Sequence, residues 1–316
     1  MTIINKNTEQ KEFRFTEKLM GNIFGITVVS DHEPWANEKA LLAMEEIRRI
    51  EKLLTTFSED SQTNQVNRMA GINPVPVDQE VFDLIKRSLT ISSITDGAFD
   101  ITYGSIDKSL WNFDRSMTRL PDAETAKSMV RLIDYRNVIL DETNRAVFLK
   151  NSGMRIGFGG IGKGYAAEKA KSVLLAAGVE SGIVNASGDL AAWGMQPNGK
   201  EWTIGISDPD QANQPFSYLS VTDKAIATSG SYEKFVMIDG KRYSHTINPK
   251  TGLPVTGIKS VTIISSNAEF SDALATPVTV MGVNAGLNLI NQLPNVACVI
   301  IDDSNKLYTS KNIRLS

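Results

Sequence analysis

The dipeptide Asp239-Gly240, flanked by Val236–Ile238 and Arg242–His245, constrains the fold of this chain more than any other stretch. A two-residue Asp-Gly loop between strand-like segments favours a type I′ turn, whose two positive φ angles match the twist of an antiparallel pair. A purely parallel βαβ sheet has no place for such a loop. A second hairpin reads from Val138–Leu140 and Ala146–Leu149 around Asp141-Glu142-Thr143-Asn144, and a third from Ala297–Ile301 and Lys306–Thr309. Further strands are expected at Phe24–Val29, Ile183–Ala186, Thr203–Ile206 and Val261–Ser265.

Helical spacing alternates with these hairpins. Leu41, Met44, Ile47, Ile50 and Leu54 predict one apolar helix face, ending near Phe57 at the turn-forming Ser58-Glu59-Asp60-Ser61. A second helix is expected from Asp78 through Val81, Phe82, Ile85 and Leu89, and a third from Pro121 to about Ile133. Tyr165–Ala177 reads as a helix closed by Gly178, with two more near Ser271–Met281 and Asn284–Leu293. The mixture predicts an α+β class with mainly antiparallel sheets and packed helices. Residues 1–18 read as a polar N-terminal extension and 19–316 as one functional domain, with a sub-boundary near 112–121 where periodicity lapses.

Composition narrows the chemistry. Lys+Arg 33 against Asp+Glu 36 gives a formal net charge of −3 without a basic block, which argues against nucleic acid as a partner. Mean hydropathy is −0.15, and no apolar run approaches the ~18 residues of a membrane-spanning helix. With no apolar stretch in residues 1–18, the chain is expected to work in the cytoplasm, a mature exported form being the alternative. The single cysteine, Cys298, excludes a disulfide framework and reads as a buried, inert thiol in an apolar strand. Two histidines, His32 and His245, rule out a multi-histidine metal centre, so a metal would be held by oxygen: Mg²⁺ or Ca²⁺.

Several segments could carry chemistry. In Gly157-Phe158-Gly159-Gly160-Ile161-Gly162-Lys163-Gly164, glycines before a helix let the backbone approach an anion that the helix dipole also favours. A close helix–strand corner is the alternative. In Ser271-Asp272-Ala273-Leu274-Ala275-Thr276, Ser271 could cap a helix whose first turns place Asp272 and Thr276 on one face, as a Mg²⁺ site needs. A plain acidic residue at a helix start explains them as well. His245 ends a strand before the turn Asn248-Pro249-Lys250-Thr251-Gly252, where an unperturbed imidazole, titrating near ~6.5, suits a general base or a structural hydrogen bond. His32, in a polar turn, reads as a solvated surface residue. Asn185-Ala186-Ser187-Gly188-Asp189, Ala227-Thr228-Ser229-Gly230-Ser231-Tyr232-Glu233 and Asp96-Gly97-Ala98-Phe99-Asp100 are tight segments that could serve a ligand or only a turn.

The order of these elements resembles the ApbE family of FAD:protein FMN transferases. Met20-Gly21, Phe57-Ser58-x-x-Ser61, Asp96 to Thr102 and Leu110-Trp111 are similar to its N-terminal half. Gly159 to Ala166 resembles its GGIAKGYA and Asn185-x-x-Gly188-Asp189 its NxGGD. Thr228-Ser229-Gly230-x-Tyr232-Glu233, His245-x-Ile247-x-Pro249-x-Thr251-Gly252 and Asp272 to Thr276 complete a match from about Leu19 to Gly282. Three positions depart from the pattern: Gly157-Phe158 stands where the family has an aspartate, Ser187 where it has glycine and Gly162 where it has alanine.

The resemblance implies an ApbE-like, T-fold-related architecture. It also implies Mg²⁺-dependent cleavage of FAD, with FMN passed through a phosphoester to a Thr or Ser of an acceptor flavoprotein and AMP released. By the same resemblance, Gly162, Asp272 and Thr276 would hold Mg²⁺. Met20, Phe57, Ala98, Phe99, Asp100, Gly159 and Ile247 would line the FAD site, and His245 would be the base. An FAD pyrophosphatase giving FMN and AMP is the second expectation, and a non-catalytic FAD-binding protein the third.

Overall fold

A computed structural model of the chain describes residues 9–207, 215–230 and 234–313. It opens on a hairpin, β1 (Lys11–Leu19) and β2 (Asn22–Ser30), joined by Met20 and Gly21, both at positive φ. Residues 11–18 are therefore a paired strand and not an extension, from Lys11 opposite Ser30 to Leu19 opposite Asn22. Phe13 and Phe15 pack against the core while the alternate Glu12 and Arg14 pair in solvent, a period-2 pattern hidden by the segment's polarity. Helix α1 (Glu33–Leu54) follows, and the Nδ1 of His32 accepts the Trp35 N–H (3.2 Å). His32 is exposed as expected, but it has a task as a helix cap. The apolar face of α1 is Ala36, Ala40, Ala43, Met44, Ile47, Ile50 and Leu54; Leu41 points to water instead.

A short helix, α2 (Gln62–Arg68), starts at Ser61, so the expected turn is its N-cap. Then come β3 (Val75–Pro76) and α3 (Gln79–Ile94). Residues 106–121 carry only turns and irregular chain. Helix α4 (Ala123–Met129) is shorter than expected, because Asp122 caps it through the Thr125 N–H (2.9 Å), leaving Pro121 outside. β4 (Val138–Asp141) and β5 (Ala146–Leu149) form the expected hairpin, with β3 on its edge. Helix α5 (Gly162–Ala176) precedes a third hairpin, β6 (Gly182–Ala186) and β7 (Asp189–Trp193). A ribbon of β8 (Trp202–Ser207) and β9 (Pro215–Val221) leads to β10 (Lys224–Gly230). The hairpin β11 (Phe235–Ile238) and β12 (Lys241–Ser244) has Asp239 and Gly240 at positive φ, as the type I′ turn requires. The chain closes with β13 (Ile258–Ser265), α6 (Ala268–Met281), α7 (Val283–Ile290), β14 (Ala297–Asp302) and β15 (Leu307–Thr309).

Among the described residues one antiparallel sheet dominates, in the order β1-β2-β6-β7-β10-β13-β14-β15. Helices α1, α5 and α6 cover one face, and the β8–β9 ribbon packs its Trp202, Ile206 and Val221 on the other. Strand β13 is buried on both faces. Val261 and Ile263 meet α6 and α7, while Ile264 meets the ribbon. All of Ile258–Ser265 is buried, so the strand shows no apolar–polar alternation, and Thr262 and Ser265 are buried beside Val261, Ile263 and Ile264. Cys298 is fully buried on β14, where burial pushes its thiol pKa up and keeps it inert.

Candidate active site

A cleft of about 1160 Å³ opens between the α5 and α6 helices and the loops facing them. Its lining includes Met20, Phe57, Ala98, Phe99, Asp100, Gly159, Lys163, His245, Ile247 and Thr276. Sites read from stretches as far apart as residues 20 and 276 thus share one cavity. Gly162 and Asp272 do not line it and lie directly behind its wall. A Cβ on Gly162 would stand 3.6 Å from the Met20 methyl, and Asp272 sits one helical turn before Thr276. A second cleft, of about 640 Å³ beside His32 and Trp35, contains none of these residues.

The helix wall is built by close approach. Helix α5 begins without a side-chain cap of its own, and Asp272 of α6 supplies one: its Oδ2 accepts the Gly164 N–H at 2.8 Å. A Cβ on Gly164 would fall 2.2 Å from the Ala268 carbonyl oxygen and 2.6 Å from the Asp272 Cβ, so only glycine permits this contact. Asn267, rather than Ser271, caps α6, accepting the Phe270 N–H at 2.9 Å. Asp272 and Thr276 consequently lie deeper in the helix than its opening turn. Ser271 is fully buried and bonds Ser265 (2.8 Å).

A charged group missing from the expected site completes this wall. Lys163 forms an ion pair with Asp189, the aspartate of the Asn185-to-Asp189 segment. Asn185 shapes that turn by accepting the Gly188 N–H (2.8 Å), with Ser187 and Gly188 both at positive φ. Burial opposes the charge on Lys163, but the carboxylates of Asp272 and Asp189 outweigh it and raise its pKa. Burial and the neighbouring Asp189 push Asp272 up to about 7. Two buried carboxylates therefore share one ammonium, a cluster short of positive charge. Asp272, Thr276 and Gly162 offer a carboxylate, a hydroxyl and a carbonyl, donor types that suit a hard cation such as Mg²⁺. The residues fit the metal.

The facing wall is made of loops. His245 is exposed, and its Nδ1 lies 3.1 Å from the Lys234 carbonyl oxygen, with the Phe113 ring edge-on at 6.4 Å. A carbonyl oxygen only accepts, so Nδ1 carries the proton, and Nε2 is the basic nitrogen of the neutral ring. Ile247 is buried, and its N–H donates to the Tyr103 hydroxyl (3.4 Å). The Thr251-Gly252 turn docks on α4, where a Cβ on Gly252 would meet the Ala126 carbonyl at 1.8 Å. Asp100 borders the cleft, but its carboxylate is turned into the protein. It accepts the Thr102 N–H (2.8 Å), the Thr102 hydroxyl (2.6 Å) and the Tyr135 N–H (2.9 Å), while burial raises its pKa. Glu51 fixes the Met20 turn by accepting its N–H (2.9 Å). Phe57 is 99% exposed on the rim, on a loop that Asn64 holds through the carbonyls of Thr56 and Ser58.

The model of the ApbE family matches residues 20–300. The chain belongs to the ApbE family. Two relatives named FAD:protein FMN transferase, from Klebsiella pneumoniae and Treponema pallidum, are each 31% identical to it. The first aligns over 98% of this chain and 95% of its own length, the second over 96% and 88%. The crystal structure of the ApbE protein from Thermotoga maritima superposes with a TM-score of 0.84 at 31% identity, covering 95% of this chain and 97% of that one. The Pseudomonas stutzeri flavinyl transferase ApbE, in its apo form, gives 0.83 at 27% identity, covering 96% and 95%. The α+β, mainly antiparallel architecture is thus that of the ApbE neighbours. Tyr232 and Glu233 of the ApbE-like segment Thr228 to Glu233 lie outside the described residues. The cleft also contains Glu51, Tyr103, Lys108 and Arg155, which no local sequence pattern marked.

Proposed function

We propose that this chain transfers FMN from FAD to a Thr or Ser hydroxyl of an acceptor flavoprotein, releasing AMP. The observation that carries the reading is one cleft with His245 on its loop wall and Lys163 and Thr276 on its helix wall, Gly162 and Asp272 lying directly behind them, in a chain of the ApbE family. Mg²⁺ held by Asp272, Thr276 and Gly162 would neutralise charge developing on the pyrophosphate. His245 Nε2 takes the proton from the acceptor hydroxyl as its oxygen bonds to the FMN phosphorus. The bond from that phosphorus to the bridging oxygen breaks, and AMP leaves with the electron pair.

Lys163 supplies a fixed cation at the same wall, and Met20, Ala98, Phe99, Gly159 and Ile247 shape the flavin nucleotide cavity. A bare phenyl ring on the rim, Phe57, offers an apolar face for the planar flavin. The test is incubation with FAD, Mg²⁺ and a candidate acceptor domain, followed by mass spectrometry. An FMN-sized increase on the acceptor supports transfer. Free FMN and AMP without labelled acceptor would make the protein an FAD pyrophosphatase, and unchanged FAD a binding protein.

A further inference from the structure

A polar knot behind the helix wall joins four helices. On α3, Glu80 accepts the Tyr165 hydroxyl of α5 at 2.5 Å and the Arg49 guanidinium of α1 at 2.7 and 2.9 Å. Seven residues along α3, Arg87 binds both oxygens of Glu269 on α6 (2.6 and 2.9 Å). The Tyr165 ring lies between two cations, with the Arg87 guanidinium 5.7 Å and the Lys169 ammonium 5.8 Å from its centroid. Tyr165 and Glu269 are buried. Arg49, with Tyr165 in support, holds the Glu80 carboxyl down at about 2, so it stays ionised throughout the neutral range.

The position of the knot gives it meaning. Tyr165 directly follows Gly164, whose N–H donates to Asp272, and Glu269 lies three residues before Asp272 on the same helix face. One helix, α3, therefore grips the α5 start through Glu80 and the α6 start through Arg87. Those two helices carry every oxygen donor proposed for the cation.

We propose that Tyr165, Glu80, Arg87 and Glu269 are positioning residues, with α3 acting as a brace that sets the α5–α6 gap and thereby the affinity for the divalent cation. The inference rests on the reading that Gly162, Asp272 and Thr276 hold Mg²⁺. None of the four lines the cleft, so their effect reaches the donors through the two helices.

The test is Mg²⁺ titration of the full chain by calorimetry, without FAD, beside Tyr165→Phe and Glu269→Gln. Tyr165→Phe keeps the ring between its cations and deletes only the bond to Glu80. Each variant is expected to bind Mg²⁺ about 2- to 30-fold more weakly, the range of coupling through a packed network. A folded variant pair with wild-type Mg²⁺ affinity and a lowered melting temperature would reduce the knot to a stability element and overturn the proposal. Wild-type protein that binds no Mg²⁺ would instead remove the metal reading, and the brace with it. Should Tyr165→Phe fail to fold, Glu269→Gln alone decides.

Discussion

The two walls of the cleft are built to different standards. The helix wall is buried and over-determined: Asp272 caps α5, Gly164 touches α6 without a side chain, and the Glu80–Tyr165 and Arg87–Glu269 contacts fix both helices from behind. The loop wall is exposed at its working positions, with His245 and Phe57 in solvent, while Ile247, Ala98, Phe99, Asp100 and Pro249 around them are buried. A metal cluster needs fixed donors, whereas an acceptor protein must reach the base. Substitutions that break the packing of the helix wall should therefore disturb folding and cation binding together, those that change only its donor atoms should disturb cation binding, and those on the loop wall should disturb chemistry alone.

The sharpest break of this contrast is Gly164→Ala. Its Cβ would collide with the Ala268 backbone, which cannot swing away, so a loss of about 3 kcal/mol or more is expected in denaturant unfolding. A variant as stable as wild type would show that α5 and α6 are not in the contact described. Asp272→Asn separates stability from function on the same wall. The amide can still accept the Gly164 N–H and removes a buried charge, so the melting temperature should hold or rise while stabilisation by added Mg²⁺ disappears. Retained Mg²⁺ stabilisation in this variant would dismiss Asp272 as a ligand.

The knot behind the wall has a pH signature. The carboxyl of Glu80 falls from 4.5 to about 2 on folding, so its contribution is complete above about 4.5 and is lost as the pH drops towards 2. The difference in melting temperature between wild type and Glu80→Gln should shrink across that window, and a constant difference would show that folding leaves the Glu80 carboxyl at its ordinary pKa. The smallest effect belongs to the β6–β7 turn. Ser187 sits at φ +57°, where glycine fits without strain, so Ser187→Gly should raise stability by about 0.5–1 kcal/mol. A loss would mean that the serine side chain stabilises the turn.

Most of the frame was readable because its signals are local. Asp239-Gly240 and the spacing of Met44, Ile47 and Ile50 carry the turn and the helix face in a few residues. β1 was hidden by Glu12, Arg14 and Lys18 on its solvent face, and β7 and β10 by alanine-rich strands covered on both sides. Most of the site residues line one cleft because their motifs mark loops and helix ends that face it, while Gly162 and Asp272 lie behind its wall. What no motif shows is pairing across the fold. The partners Lys163 and Asp189 lie 26 residues apart, and Arg87 and Glu269 lie 182 apart. The inward turn of the Asp100 carboxylate depends on Tyr135, equally remote from any local pattern.

Single-turnover FMN transfer by His245→Ala tests the central claim most directly, measured with FAD, Mg²⁺ and an acceptor domain beside FAD affinity and melting temperature. His245 lies on the exposed wall, so the variant should fold and bind FAD as wild type does, yet transfer FMN about 10²–10⁴-fold more slowly. A folded, FAD-loaded His245→Ala that transfers at the wild-type rate would contradict the account.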